Sequence, residues 1–210
     1  MASRAKDQDD FTRDRVSIMT APDPDDQDRQ DMARLAAGHD SALNELMARH
    51  GERLFHYLLR LAQSDTEAAD IAEETFVRIY QNREKFRSRN KFSTWLCTIA
   101  TNLARDLHRH RTRHPQVSLD AELQNFTEIL PSGKPGPGET VQAAETVSVV
   151  RQAIAALPEE LRLPLVLAEY EDKSHAEIAL ILQCSAKAVE MRIYRARQEL
   201  RVRLAPYFEK

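Results

Sequence analysis

Nine cations stand between residues 83 and 113 against two acids. Arg83, Lys85, Arg87, Arg89 and Lys91 lead up to Phe92, and Arg105, Arg109, Arg111 and Arg113 follow it, with only Glu84 and Asp106 opposing them. That imbalance exceeds ordinary surface mixing and suits the repeating phosphates of a nucleic acid. Ser88, Asn90, Thr94 and Asn102 lie among the charges and could reach base edges. A second set lies near the C-terminus. Lys187, Met191, Tyr194, Arg195 and Gln198 fall on one side of a helix at ~100° per residue, flanked by Glu190 and Arg192. A third set is acidic. Asp70, Glu73 and Glu74 have the i, i+3, i+4 spacing of carboxylates on one helix face. A metal would need a histidine or a fourth acid at matching spacing, and none is present. Acids early in a helix are favoured by its dipole anyway. His108, His110 and His114 alternate around a helix rather than converge, and Cys97 and Cys184 lack metal-ligand spacing. The sequence predicts no catalytic group, no metal and no cofactor.

The chain has 210 residues, 42% hydrophobic content, only five glycines and a net charge of −3. These values predict an all-α protein of two small helical domains. They exclude a bulk nucleic-acid coating protein, because the basic residues are segregated rather than general. Both cysteines read as buried thiols of a reducing cytoplasm. No apolar run approaches the ~18 residues of a membrane span, and the N-terminus lacks a signal-peptide core.

Residues 1–29, rich in Asp, Arg, Gln and Pro, read as a disordered acidic arm. A four-helix domain is expected over residues 30–112: a short helix ended by Gly38, a core helix capped by Asp40, a third opened by Ser64-Asp-Thr-Glu67, and a basic fourth capped by Ser93. The second of these should bury Leu43, Leu46, Met47, Leu54, Phe55, Leu58, Leu59 and Ala62. Residues 113–140 hold three of the five glycines and four of the nine prolines, and read as a flexible linker. Fully extended it would reach roughly 90 Å at ~3.3 Å per residue. A C-terminal domain is expected over residues 141–206. It ends in a capped helix from Ser174-His-Ala-Glu177, a turn at Gln183-Cys-Ser185, and a helix striped by Val189, Ile193, Ala196, Leu200 and Leu204. A short capped helix, a small turn and a longer basic helix match helix-turn-helix docking, whose second helix enters the major groove.

The chain resembles the extracytoplasmic-function (ECF) class of bacterial sigma factors over residues 31–204. Asp70-Ile-Ala-Glu-Glu-Thr-Phe76 resembles the family's Asp-x-x-Gln-Glu-x-Phe. Phe92-Ser-Thr-Trp-Leu96 is similar to its Phe-x-Thr-Trp-Leu, and Ile99-Ala-Thr-Asn102 with Asp106 and Arg109 to its Ile-Ala-x-Asn-x-x-x-Asp-x-x-Arg. Leu157-Pro-Glu-Glu160, Ser174-His-Ala-Glu-Ile-Ala179 and Tyr194-Arg-Ala-Arg197 match the second domain. The resemblance implies a protein that binds core RNA polymerase at its β′ clamp and β flap, recognises promoter −10 and −35 elements and assists strand opening. Asp70, Glu73 and Glu74 would meet the clamp. Lys85, Arg87, Arg89, Asn90, Lys91, Ser93, Asn102, Arg105 and Arg109 would handle the −10 element and its extruded base. Ser185, Lys187, Glu190, Met191, Arg192, Tyr194, Arg195 and Arg197 would serve the −35 element. Relatives are commonly held inactive by an anti-sigma protein, which adds such a protein to the implied partners.

Three departures stand out. Glu73 replaces the family's usual Gln. Gln183 replaces a turn Gly, which is costly if the position is left-handed. Glu190 and Met191 occupy positions that are often Arg and Ser, so a known −35 sequence does not transfer. The rival functions are a stand-alone helix-turn-helix regulator of duplex DNA, a metal-dependent nucleic-acid enzyme using Asp70, Glu73 and Glu74, and a polymerase adaptor that reads no DNA.

Overall fold

The structure, a computed structural model, describes residues 24–62, 64–113 and 137–208. Among these it is all-helical, and the helices fall into two groups of four. The first comprises α1 (Pro24–Ala36), α2 (Ser41–Leu59), α3 (Asp65–Gln81) and α4 (Phe92–Arg113), with a single 3₁₀ turn at Arg83–Lys85. The second comprises α5 (Pro137–Ala155), α6 (Glu159–Glu169), α7 (His175–Leu182) and α8 (Ala186–Phe208). Residues 1–23 and 114–136, which carry most of the expected arm and linker, lie outside the described residues.

The arm expectation is corrected at its end. Residues 24–29 are the first turns of α1, and Asp28 and Asp31 are buried. Composition assigns such acids to solvent, but here α2 supplies their partners. Arg49 pairs with Asp28 and, at 2.8 Å, with Asp31, while His50 Nε2 lies 2.9 Å from both Asp28 oxygens. Met32 and Leu35 anchor the same helix in the core. The chain leaves α1 through Gly38 at φ +91°, a conformation that favours glycine. Asp40 is itself helical and makes no side-chain cap, so the turn rather than a cap starts α2.

Leu46, Leu54 and Leu58 of α2 are buried as the periodicity requires, whereas Met47 is exposed and Tyr57 takes a core place instead. Ser64 Oγ caps α3 by accepting the Glu67 N–H at 3.2 Å. Ile71, Phe76 and Ile79 then face α2 and α4. α4 starts at Phe92, one residue before its expected cap. Leu96, Ala100 and Thr101 form its inner side. In the second group, Leu161, Leu165 and Val166 of α6 and Val189, Ile193 and Ala196 of α8 share one core. Pro158 sits at the N-cap of α6. Cys97 is buried, and burial raises its thiol to about 12; Cys184 is only half-buried, contrary to expectation.

Candidate nucleic-acid interface

The loop between α3 and α4 is fixed at both ends and open in the middle. Phe86, just after the 3₁₀ turn, stacks on Trp95 at 5.3 Å and approaches Phe92 at 6.2 Å. Phe92 is fully buried, and the His50 ring lies 5.0 Å from its own. These rings pin Phe86 and Phe92 to the domain, so residues 87–91 must arch outward between them. A turn bond from Asn90 N–H to the Arg87 carbonyl, 2.9 Å, closes the arch. Lys85, Arg87, Arg89 and Asn90 are all exposed on it, and Lys85 Nζ also donates to Asn82 Oδ1 at 2.7 Å. Among the described residues no carboxylate pairs with Lys85, Arg87 or Arg89, and these three clustered cations make a local positive field of the kind phosphates seek.

The remaining residues of this set are placed differently. Lys91 Nζ lies 3.4 Å from Glu177 and 3.8 Å from Asp25. Ser93 does not cap α4; its Oγ accepts from Lys173 Nζ at 2.7 Å. Arg105 Nε donates to Glu159 at 3.0 Å, and Arg109 lies 3.8 Å from Asp106. Asn102 is half-buried on α4. The side chains of Arg111, Arg113 and His114 lie outside the described residues.

The helix-turn-helix forms as its spacing predicts. Ser174 and Glu177 make a full capping box on α7. Burial by itself would raise the Glu177 carboxyl, but hydrogen bonds from Ser174 and the Lys91 ammonium outweigh it and bring it down to about 2. Gln183 sits at φ +52°, ψ +48°, so the left-handed turn is made without glycine. Ser185 Oγ accepts the Ala188 N–H at 3.1 Å and starts α8. Ser185, Lys187, Glu190, Met191, Tyr194 and Arg195 are exposed along α8, opposite the buried Val189–Ile193–Ala196 stripe. An open cleft of about 320 Å³ beside this face is lined by His175, Glu190, Met191, Ile193, Tyr194 and Arg197. Arg192 is half-buried. Arg197 is drawn toward α6, where Glu169 accepts from its guanidinium at 2.5 Å. Lys187 Nζ bonds Glu190 at 2.9 Å, and this bond lowers the Glu190 carboxyl below its ordinary range.

On α3, Asp70 and Glu73 are exposed, while Glu74 is half-buried and holds Arg78 at 2.8 Å. Among the described residues no three His, Cys, Asp or Glu side chains are grouped to hold a metal, and no helix is long and apolar enough to cross a membrane.

Residues 46–114 match the family described as Sigma-70 region 2, and residues 148–200 match Sigma-70, region 4. The chain is 33% identical to the RNA polymerase sigma-H factor of Pseudomonas aeruginosa, over 86% of its own length and 95% of the relative's. It is 34% identical to the ECF RNA polymerase sigma factor SigW of Bacillus subtilis, over 80% and 91%. The chain belongs to the ECF sigma factors. Among solved structures, CnrH in complex with the cytosolic domain of CnrY superposes with a TM-score of 0.64 at 28% identity, covering 86% of this chain and 99% of that one. Both cationic surfaces of this sigma factor fall inside the matched regions, the arch in region 2 and the exposed face of α8 in region 4.

Contacts that sequence reading missed join the two domains of the sigma factor. Arg53 of α2 donates to Glu171 at 2.8 Å and to Asp172 at 3.0 Å, and the Arg60 guanidinium lies 4.2 Å over the Tyr170 ring. Their partners stand more than a hundred residues away, and no local spacing announces them.

Proposed function

We propose that this sigma factor works by dividing polymerase docking and promoter reading among its three exposed surfaces. The acidic face of α3, through Asp70, Glu73 and Glu74, meets the β′ clamp of core RNA polymerase, and the C-terminal domain meets the β flap. The arch of Lys85, Arg87, Arg89, Asn90 and Lys91, with Ser93, Asn102, Arg105 and Arg109 of α4, takes the −10 element. The exposed face of α8, with Ser185, Lys187, Glu190, Met191, Arg192, Tyr194, Arg195 and Arg197, reads the −35 element. The role is binding and strand opening rather than catalysis, and its place is the cytoplasm beside the polymerase. CnrH was solved in complex with the cytosolic domain of CnrY, and by analogy a protein partner in the position of the implied anti-sigma factor fits this chain.

The observation that carries the −10 assignment is the arch itself. Three exposed cations stand on a loop whose ends are clamped by aromatic rings. Such a loop could hold phosphates while an unstacked base turns toward the protein, where its edges become readable.

The test replaces Lys85, Arg87, Arg89 and Lys91 with Ala in reconstituted holoenzyme. Permanganate reactivity at the −10 element should fall, while co-elution with core polymerase stays. Equal loss of core binding would make the arch a protein-docking surface and overturn the assignment.

A further inference from the structure

Near the middle of the outward face of α8 stands a side chain that carries no charge and has no proton to donate. The buried stripe of Val189, Ile193 and Ala196 marks the inner side of that helix. At ~100° per residue Met191 lies roughly 190° round from the stripe, almost directly opposite it. Lys187 and Arg195 stand one turn before and one turn after it, and Tyr194 is its neighbour three residues on. Met191 is 41% exposed and Tyr194 58%, so apolar surface is left in water between two cations. The open cleft of about 320 Å³ is lined by both of these side chains and by Ile193. We propose that Met191 is a specificity-determining residue of the −35 reading, its side chain packing against the 5-methyl group of one thymine in the major groove. The inference rests on the −35 assignment of α8 above and names the base chemistry that this face selects.

The chemistry of a thioether narrows the choice of base. Every base pair shows hydrogen-bonding groups in the major groove, and thymine adds an apolar one, its 5-methyl group. A methionine sulfur is at most a weak acceptor. Against an amino group or a carbonyl it would therefore strip water without restoring the lost hydrogen bond. Against a methyl group, both partners withdraw apolar surface from water, and the flexible methionine chain can follow the contour it meets. The position agrees. Met191 falls in the second turn of α8, which starts at Ala186, and a recognition helix presents its N-terminal residues to base edges. Lys187 and Arg195 suit phosphates, which fix a helix in the groove without reading sequence. Two apolar side chains between cations make too small a patch for the core of a protein interface, whereas one base edge needs no more.

The test removes a single methyl group from the DNA. Holoenzyme reconstituted with the full chain first selects its −35 element from a duplex promoter library randomised at that element. Each thymine of the selected element, on either strand, is then replaced in turn by uracil, which keeps the hydrogen-bonding edge and lacks only the 5-methyl group. Parent, Met191→Ala and Met191→Leu holoenzymes are titrated against every duplex. At one position uracil should weaken the parent about fourfold, the transfer of one methyl group at ~0.8 kcal/mol. Met191→Ala should bind thymine and uracil equally there, while Met191→Leu, apolar and of similar volume, keeps most of the difference. A uracil effect of undiminished size in Met191→Ala would give the methyl group to another residue and overturn the inference. A selected element with no uracil-sensitive position would overturn it too, with the −35 assignment left standing. A library that returns no preference at all would overturn that assignment and the inference with it. Failure of Met191→Ala to bind core polymerase, with no uracil effect in the parent, would make the patch a protein-docking surface instead.

Discussion

Replacing Tyr57 and Thr101 tests how α4, the helix on which the proposed −10 surface lies, is mounted on α2. Tyr57 is fully buried, its hydroxyl is 2.7 Å from Thr101 Oγ1, and Thr101 Oγ1 donates to the Cys97 carbonyl at 2.6 Å. A threonine hydroxyl has one proton, so Tyr57 is the donor in the first bond. Burial pushes its phenol well above the usual range, so that proton stays in place at any working pH. Tyr57→Phe removes the donor and leaves a hydroxyl that keeps its other bond, a loss of about 1 kcal/mol. Thr101→Val is worse despite the similar shape, because it strands the phenol proton in the core at a cost of about 1–3 kcal/mol. The double variant buries no stranded donor. It should therefore be more stable than the sum of the single losses requires, with a coupling energy of roughly 1 kcal/mol or more. Trp95 is the sole tryptophan and sits in the N-terminal domain, so its fluorescence in urea follows the relevant unit. The four midpoints should order as parent, Tyr57→Phe, double variant near it, and Thr101→Val lowest. Additive losses within ~0.3 kcal/mol would refute the shared bond.

Further outcomes follow from the same geometry. Gln183→Gly should raise the melting temperature of the C-terminal domain. Relief of a left-handed non-glycine residue is worth about 1–2 kcal/mol and exceeds the roughly 0.5–1 kcal/mol of added chain entropy; a lower melting temperature would mean the Gln183 side chain contributes a contact. Glu190→Gln should shift −35 preference at one position from cytosine toward adenine in a randomised promoter library, since glutamate accepts from the cytosine amino group and glutamine pairs with adenine. An unchanged preference would leave Glu190 as the partner of Lys187 alone. Glu171 offers a pH test. Burial raises its carboxyl against the opposing pull of Arg53, Arg60 and Lys173, so its folded value exceeds its unfolded one. Its contribution to stability is full below the unfolded value of about 4.3 and is lost as pH rises through the folded one. The melting temperature of Glu171→Gln minus that of the parent should thus increase between pH 4.5 and 7, and a flat difference would show that the carboxyl is not destabilised by burial.

What the sequence made legible was local. The capping box at Ser174 and Glu177 and the Val189–Ile193–Ala196 stripe are set by residues within four positions of one another, and spacing along the chain reports them directly. The misreadings share a different cause. Asp28 falls within the expected arm because its cations, Arg49 and His50, are 21 and 22 residues away. Ser93 looked like a helix cap because Lys173, 80 residues on, is invisible to local pattern. Arg53 carried no signal at all, since Glu171 lies 118 residues distant.

The same limitation bears on function, because counting cations between residues 83 and 113 merges two populations. Lys85, Arg87 and Arg89 are exposed on the arch. Lys91 and Arg105 are matched to carboxylates of the other domain. A phosphate meeting the first group displaces water, ions and, at Lys85, the Asn82 amide oxygen, whereas one meeting the second must break ion pairs already made. On the −10 assignment proposed above, the first group governs encounter and its salt dependence, and the second engages DNA only after giving up its carboxylates. A footprint that looks uniform in one dimension thus divides, in three, into open cations and cations already matched.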